Sequence, residues 1–158
     1  SRADVHSPLN RPVAQSSGDG MHPPSPPAAP GRHRGGSAED WPTGGELDFL
    51  DTPDPSRAQT NFVIHFGELN NQDITTVSGD FTQWHNYAIE WAPDHIAGFI
   101  DGQEIFRTND PEKIPNRPMH LAIQMDVGPS IDGWTPPVDE TTPPAVRMEV
   151  DWVRIYNP

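Results

Sequence analysis

Glu46, Asp48 and Asp51 fall within the short run Gly45-Glu46-Leu47-Asp48-Phe49-Leu50-Asp51. On a strand, side chains alternate, so Glu46 and Asp48 project to one face while Leu47 and Phe49 enter the core. Two carboxylates held this close repel each other. An acid–base site uses that repulsion, because it keeps one group charged and its neighbour protonated. Asp51 points the wrong way in a regular strand, but one bulge after Phe49 inserts an extra residue and returns it to the side of Glu46 and Asp48. The plainer reading is a solvated edge strand, since an acidic chain gathers such clusters by chance.

Short alternating segments surround this run, separated by turn chemistry. The candidate strands are Gly45–Asp51, Gln59–Gly67, Asp73–Val77, His85–Trp91, His95–Ile100, Gln103–Arg107, Met119–Val127 and Val146–Tyr156. Asp101-Gly102 is a two-residue hairpin signal that demands positive φ. Met119, Leu121, Ile123 and Met125 alternate with His120, Ala122, Gln124 and Asp126, while His85, Tyr87 and Trp91 share a core-directed face. Strand periods without a convincing helix period predict an all-β, antiparallel β-sandwich.

The chain has 158 residues, with 20 prolines, 13 glycines and no cysteine. The missing cysteine excludes a disulfide scaffold, a zinc-thiolate site and a thiol nucleophile. No apolar run spans a bilayer. Residues 1–40 are rich in Pro, Gly and Ser and hold no aromatic residue, so composition predicts a disordered leader ahead of a domain over 41–158. Acidic and basic groups balance in that leader, and the net charge of -13 sits wholly in the remainder. Such a body repels polyphosphate, which argues against a nucleic-acid partner and for a neutral substrate or a cation.

Trp41-Pro42-Thr43-Gly44-Gly45-Glu46-Leu47-Asp48-Phe49 resembles the catalytic segment of glycoside hydrolase family 16, which includes the laminarinases and lichenases. Phe81-Thr82-Gln83-Trp84-His85-Asn86-Tyr87-Ala88-Ile89-Glu90-Trp91 is similar to a later strand of that family. Pro93-Asp94-His95-Ile96 with Asp101-Gly102 matches the following turn and hairpin, and Val150-Asp151-Trp152-Val153-Arg154-Ile155-Tyr156 looks like its closing strand. The resemblance spans Trp41–Pro158. It implies a concanavalin A-like jelly roll with a glycan cleft on the concave sheet, acting outside the cell as a monomer on a polysaccharide or oligosaccharide. Carried over by position, Glu46 is the nucleophile, Asp48 its hydrogen-bonded helper, and Asp51 stands where the family has its acid/base Glu. A retaining glycosidase needs its two working carboxyls about 5–5.5 Å apart.

The chain departs from that pattern in two ways. Asp replaces Glu at position 51, withdrawing the carboxyl by one C–C bond, about 1.5 Å. The strands expected before Trp41 give way to the leader, so the chain reads as the second half of an enzyme domain. Trp41 and Trp134 are candidates to stack on sugar rings, although a core or loop anchor suits them as well. His65, His120, Gln124 and Asp126 are candidates to bond sugar hydroxyls, against a plain solvent-facing role. The chemistry requires no cofactor. Asp151 resembles the family's calcium position, whose companion ligands are not evident, and the histidines lack metal-ligand spacing. The alternatives are an endo-acting hydrolase of β-1,3- or mixed β-1,3/1,4-glucan, a glycan-binding sandwich without catalysis, and an inactive truncated chain. The resemblance also admits transglycosylases and galactan-cleaving enzymes.

Overall fold

The computed structural model of the protein describes residues 2–10, 20–22, 42–53, 55–117, 119–123, 125 and 137–156. Among them are eleven strands: β1 (Arg2–Asn10), β2 (Gly20–His22), β3 (Glu46–Asp51), β4 (Gln59–Phe66), β5 (Asn71–Ser78), β6 (Trp84–Ala92), β7 (His95–Ile100), β8 (Gln103–Thr108), β9 (His120–Leu121), β10 (Arg147–Met148) and β11 (Trp152–Tyr156). No helix of the described residues is long and apolar enough to cross a membrane.

All pairings are antiparallel and form two sheets. One runs β5-β4-β3-β2-β9. The other runs β10-β1-β6-β7-β8, with β11 also on β1. The acidic strand β3 therefore lies inside its sheet, between β4 and β2, so its backbone is paired on both sides. This is the sandwich that alternation predicts.

The core forms where the two sheets face each other. Leu47, Phe49 and Leu50 of β3 and Phe62 and Ile64 of β4 meet Tyr87, Ile89, Ile96 and Ile100 from the other sheet. Phe49 and Phe62 lie tilted, 6.5 Å between centroids. Gly98 on β7 makes this possible, because a Cβ there would clash with the edge of the Phe62 ring. Tyr87 is fully buried, as its shared face with Trp91 predicts.

Three sequence expectations change. The predicted leader is not structureless throughout, because β1 pairs with β6 from Arg2↔Glu90 to Pro8↔Trp84 and with β11 on its other side, and β2 pairs with β3 and β9. Composition weighs side-chain burial but does not count backbone ladders, which a Pro- and Ser-containing segment can still complete. The expectation that nothing before Trp41 supplies strands fails for these two segments; residues 23–41 lie outside the described set. Of the segment predicted over Met119–Val127, only His120–Leu121 is a described strand, with Ile123 and Met125 exposed. The predicted closing strand is interrupted at 149–151, giving β10 and β11, which run successively along β1.

Candidate active site

The turn before β3 sets its starting direction. Gly45 has φ +79°, donates its N–H to the Pro42 carbonyl at 3.0 Å, and lies so near Pro115 and the His65 carbonyl that a side chain would crowd both. Pro115 is held in place by Trp91, whose indole N–H donates to its carbonyl at 2.9 Å. Lys113 in the same loop pairs with Asp73 of β5 at 2.7 Å. The loop 109–117 thereby props the entrance of the acidic strand.

β3 then breaks alternation. Asp48 pairs with Val63, yet Asp51 pairs with Asn61, so three steps on β3 match two on β4. The extra residue is the bulge that the spacing of the acids requires. Phe49 and Leu50, although consecutive, are both buried in the core. Asp51 is left buried, at 7 % exposure, and its charge adds to the rise of the Glu46 pKa.

Glu46 is opposite His65 across the β3–β4 ladder, and ligating atoms of Glu46, Asp48 and His65 lie within 4.8 Å of one another. His65 Nε2 lies 3.2 Å from Asp48 Oδ2, and its Nδ1 lies 2.7 Å from Asn70 Oδ1. With an oxygen facing each ring nitrogen, the imidazolium is favoured, and the His65 pKa is raised despite the opposing cost of burial. Asn70 reaches this position from a left-handed turn residue, φ 53°. Val63, buried across from Asp48, supplies an apolar wall.

Burial pushes the Glu46 carboxyl up to about 8, assisted by the negative charge of Asp48, a hydrogen bond with it, and the charge of Asp51, while His65 opposes the rise. Glu46 and Asp48 therefore form a unit that holds a proton near neutral pH. An arrangement of this kind can present one carboxylate as nucleophile and keep a proton for transfer beside it. The same three donors, Glu46, Asp48 and His65, also have the spacing to hold a divalent cation, once His65 is deprotonated.

The structure brings Glu46, Asp48 and His65 together, with Asp51 buried farther along β3 and its charge acting on Glu46. It gives His65 protein partners on both ring nitrogens, where the sequence suggested a sugar hydroxyl. His120 is exposed on β9, beyond β2 from the acids. Trp41, Gln124, Asp126 and Trp134 lie outside the described residues. Asp151 is exposed between β10 and β11 and belongs to no group of three or more ligating side chains among the described residues. Sequence reasoning missed Asn70 and Val63, because cross-strand register chooses them and no local motif announces it.

The family model described as Glycosyl hydrolases family 16 matches residues 36–154. The chain belongs to that family. Among similar proteins, a beta-glucanase of Rhodothermus marinus is 32% identical over 144 residues, 81% of this chain and 49% of that protein. Glucan endo-1,3-beta-glucosidase A1 of Niallia circulans is 24% identical over 136 residues, 74% of this chain and 20% of that protein. The chain thus spans half or less of either relative. Solved structures agree with the sandwich. The endo-beta-1,3-glucanase of Pyrococcus furiosus superposes with a TM-score of 0.77 at 20% identity, covering 97% of this chain and 59% of that one. The laminarinase catalytic domain of Thermotoga maritima gives 0.75 at 19% identity, covering 99% and 63%. The family fold is a jelly roll, and the chain has that architecture.

Proposed function

We propose that the protein cleaves internal bonds of a β-1,3- or mixed β-1,3/1,4-glucan by retaining double displacement, outside the cell, as a monomer and without a cofactor. Glu46 attacks the anomeric carbon. Asp51 first protonates the departing glycosidic oxygen and then takes a proton from the water that releases the product. Asp48 receives the proton shared with Glu46, leaving Glu46 negative for attack, and His65 stabilises the charge that remains on the pair. The observation that supports this reading is the one-residue register shift in β3 between Asp48 and Asp51, together with the contribution of the Asp51 charge to the raised Glu46 pKa. The similarity to a beta-glucanase of Rhodothermus marinus and a glucan endo-1,3-beta-glucosidase of Niallia circulans supports the choice of glucan.

Reducing-end release from laminarin and lichenan is the test. Wild type is expected to release sugar, and Glu46→Gln to release none, because the amide cannot form the covalent intermediate. Asp51→Glu is expected to accelerate cleavage by restoring the reach of the acid. Proton NMR of the first product should show the β-anomer; an α-anomer would rule out double displacement. Affinity for oligosaccharide with no release by wild type or Asp51→Glu would favour a glycan-binding sandwich, as the short acid at position 51 allows.

A further inference from the structure

Behind the bulge lies a second set of polar residues that the proposed reaction does not use. Arg57 is 2 % exposed, and Thr52 and Thr60 are fully buried. Arg57 Nη1 donates to the Thr52 carbonyl at 2.8 Å. The Thr52 hydroxyl donates to Thr60 Oγ1 at 2.9 Å, and the Thr60 hydroxyl in turn donates to the Asp51 carbonyl at 3.2 Å. The chain of bonds ends on the backbone of Asp51 itself.

Arg57 occupies this position at a cost. Its φ is 59°, in the left-handed region that disfavours residues with a Cβ. Burying a guanidinium is unfavourable without compensating bonds. The loop carrying it is strapped from outside, since the Phe81 N–H donates to the Arg57 carbonyl and the Gly79 N–H to that of Ala58, both at 2.9 Å. A connecting loop on the surface has no need of a buried cation, but a backbone that must not shift does.

We infer that Arg57 and Thr60 are positioning residues that fix the Asp51–Thr52 backbone so that the short Asp51 side chain reaches the scissile oxygen. The inference rests on the reading of Asp51 as acid/base. A side chain about 1.5 Å shorter than Glu leaves no slack of its own. A misplacement of about 1 Å at such a group costs on the order of 10²-fold in rate. The reach must then come from the backbone, and this knot is what holds it.

The experiment compares Arg57→Met and Thr60→Val with the conservative Arg57→Lys and Thr60→Ser. Two substrates carry the same glucosyl unit: a laminari-oligosaccharide, whose sugar leaving group needs protonation, and a dinitrophenyl glycoside, whose leaving group needs almost none. Arg57→Met and Thr60→Val are expected to lose on the order of 10²-fold in kcat on the oligosaccharide with KM unchanged, and little on the dinitrophenyl glycoside when formation of the intermediate is followed. Thr60→Ser, which keeps the hydroxyl, should restore most of the rate, and Arg57→Lys only part. Equal losses on both substrates, or a change in KM alone, would overturn the inference. Carbon NMR of carboxyl-labelled aspartate provides a readout without turnover: the titration midpoint of Asp51 should move in Thr60→Val and remain in Thr60→Ser. If wild type cleaves neither substrate, the hydrolytic reading fails and this midpoint alone decides the positioning role, an unmoved value overturning it. Should the apolar variants not fold, Arg57→Lys is judged by the same substrate pair and the same midpoint.

Discussion

Burial and acidic neighbours push the Glu46 carboxyl upward, and its pH behaviour follows from that. Its pKa is raised from 4.5 to about 8 in the folded chain. The folded state therefore holds this proton more tightly than the unfolded state does. The stability gained is complete below about 4.5 and is lost as pH rises through about 8. Glu46→Gln removes the linkage, so the difference in Tm between variant and wild type should widen in the variant's favour as pH rises across that window. A constant difference would contradict it. Removing the positive charge that opposes the rise, as in His65→Gln, should move the acid limb of kcat/KM to higher pH, whereas Asp48→Asn should move it lower. Wild-type limbs in both would show that Glu46 ionisation does not control the rate.

Strand β3 earns its geometry from its neighbours. Two consecutive buried side chains, Phe49 and Leu50, are incompatible with a regular strand that keeps acids on its other face, and the bulge resolves the conflict. The core behind it depends on a close approach of β7, where Gly98 admits the Phe62 ring. Gly98→Ala is expected to lower stability by about 1–3 kcal/mol through overpacking, read as a lower denaturation midpoint with unchanged slope. Phe62→Leu in the same background should recover part of that loss. If Gly98→Ala melts like wild type, the ring is not pinned there and the sheet packing has more room than described.

At the scale of the molecule, the chain carries a net charge of -13. Described ion pairs such as Arg107–Glu104 and Lys113–Asp73 are partly exposed and offset little of the mutual repulsion. Raising ionic strength from about 0.01 M to about 0.15 M shortens the screening length from roughly 30 Å to roughly 8 Å and should raise Tm. A fall in Tm over that range would mean that attractive pairs outweigh the repulsion.

Local pattern alone determined the sandwich class, the run of acids and the need for a bulge. Alternation with period two assigns Leu47 and Phe49 to the core, and an acid three residues beyond Asp48 can rejoin it only through an inserted residue. Local pattern could not determine who stands across from those acids. His65 faces Glu46 and Val63 faces Asp48 because β4 pairs in one register of several that its sequence permits, and burial against the opposite sheet selects among them. It also missed β1 and β2, whose place depends on backbone bonds to strands far along the chain. The raised pKa of Glu46 belongs wholly to the tertiary structure. Neighbouring carboxyls on an open chain titrate near their ordinary values in water, and only burial beside Asp48 and Asp51, against the opposing charge of His65, makes Glu46 hold a proton at neutral pH.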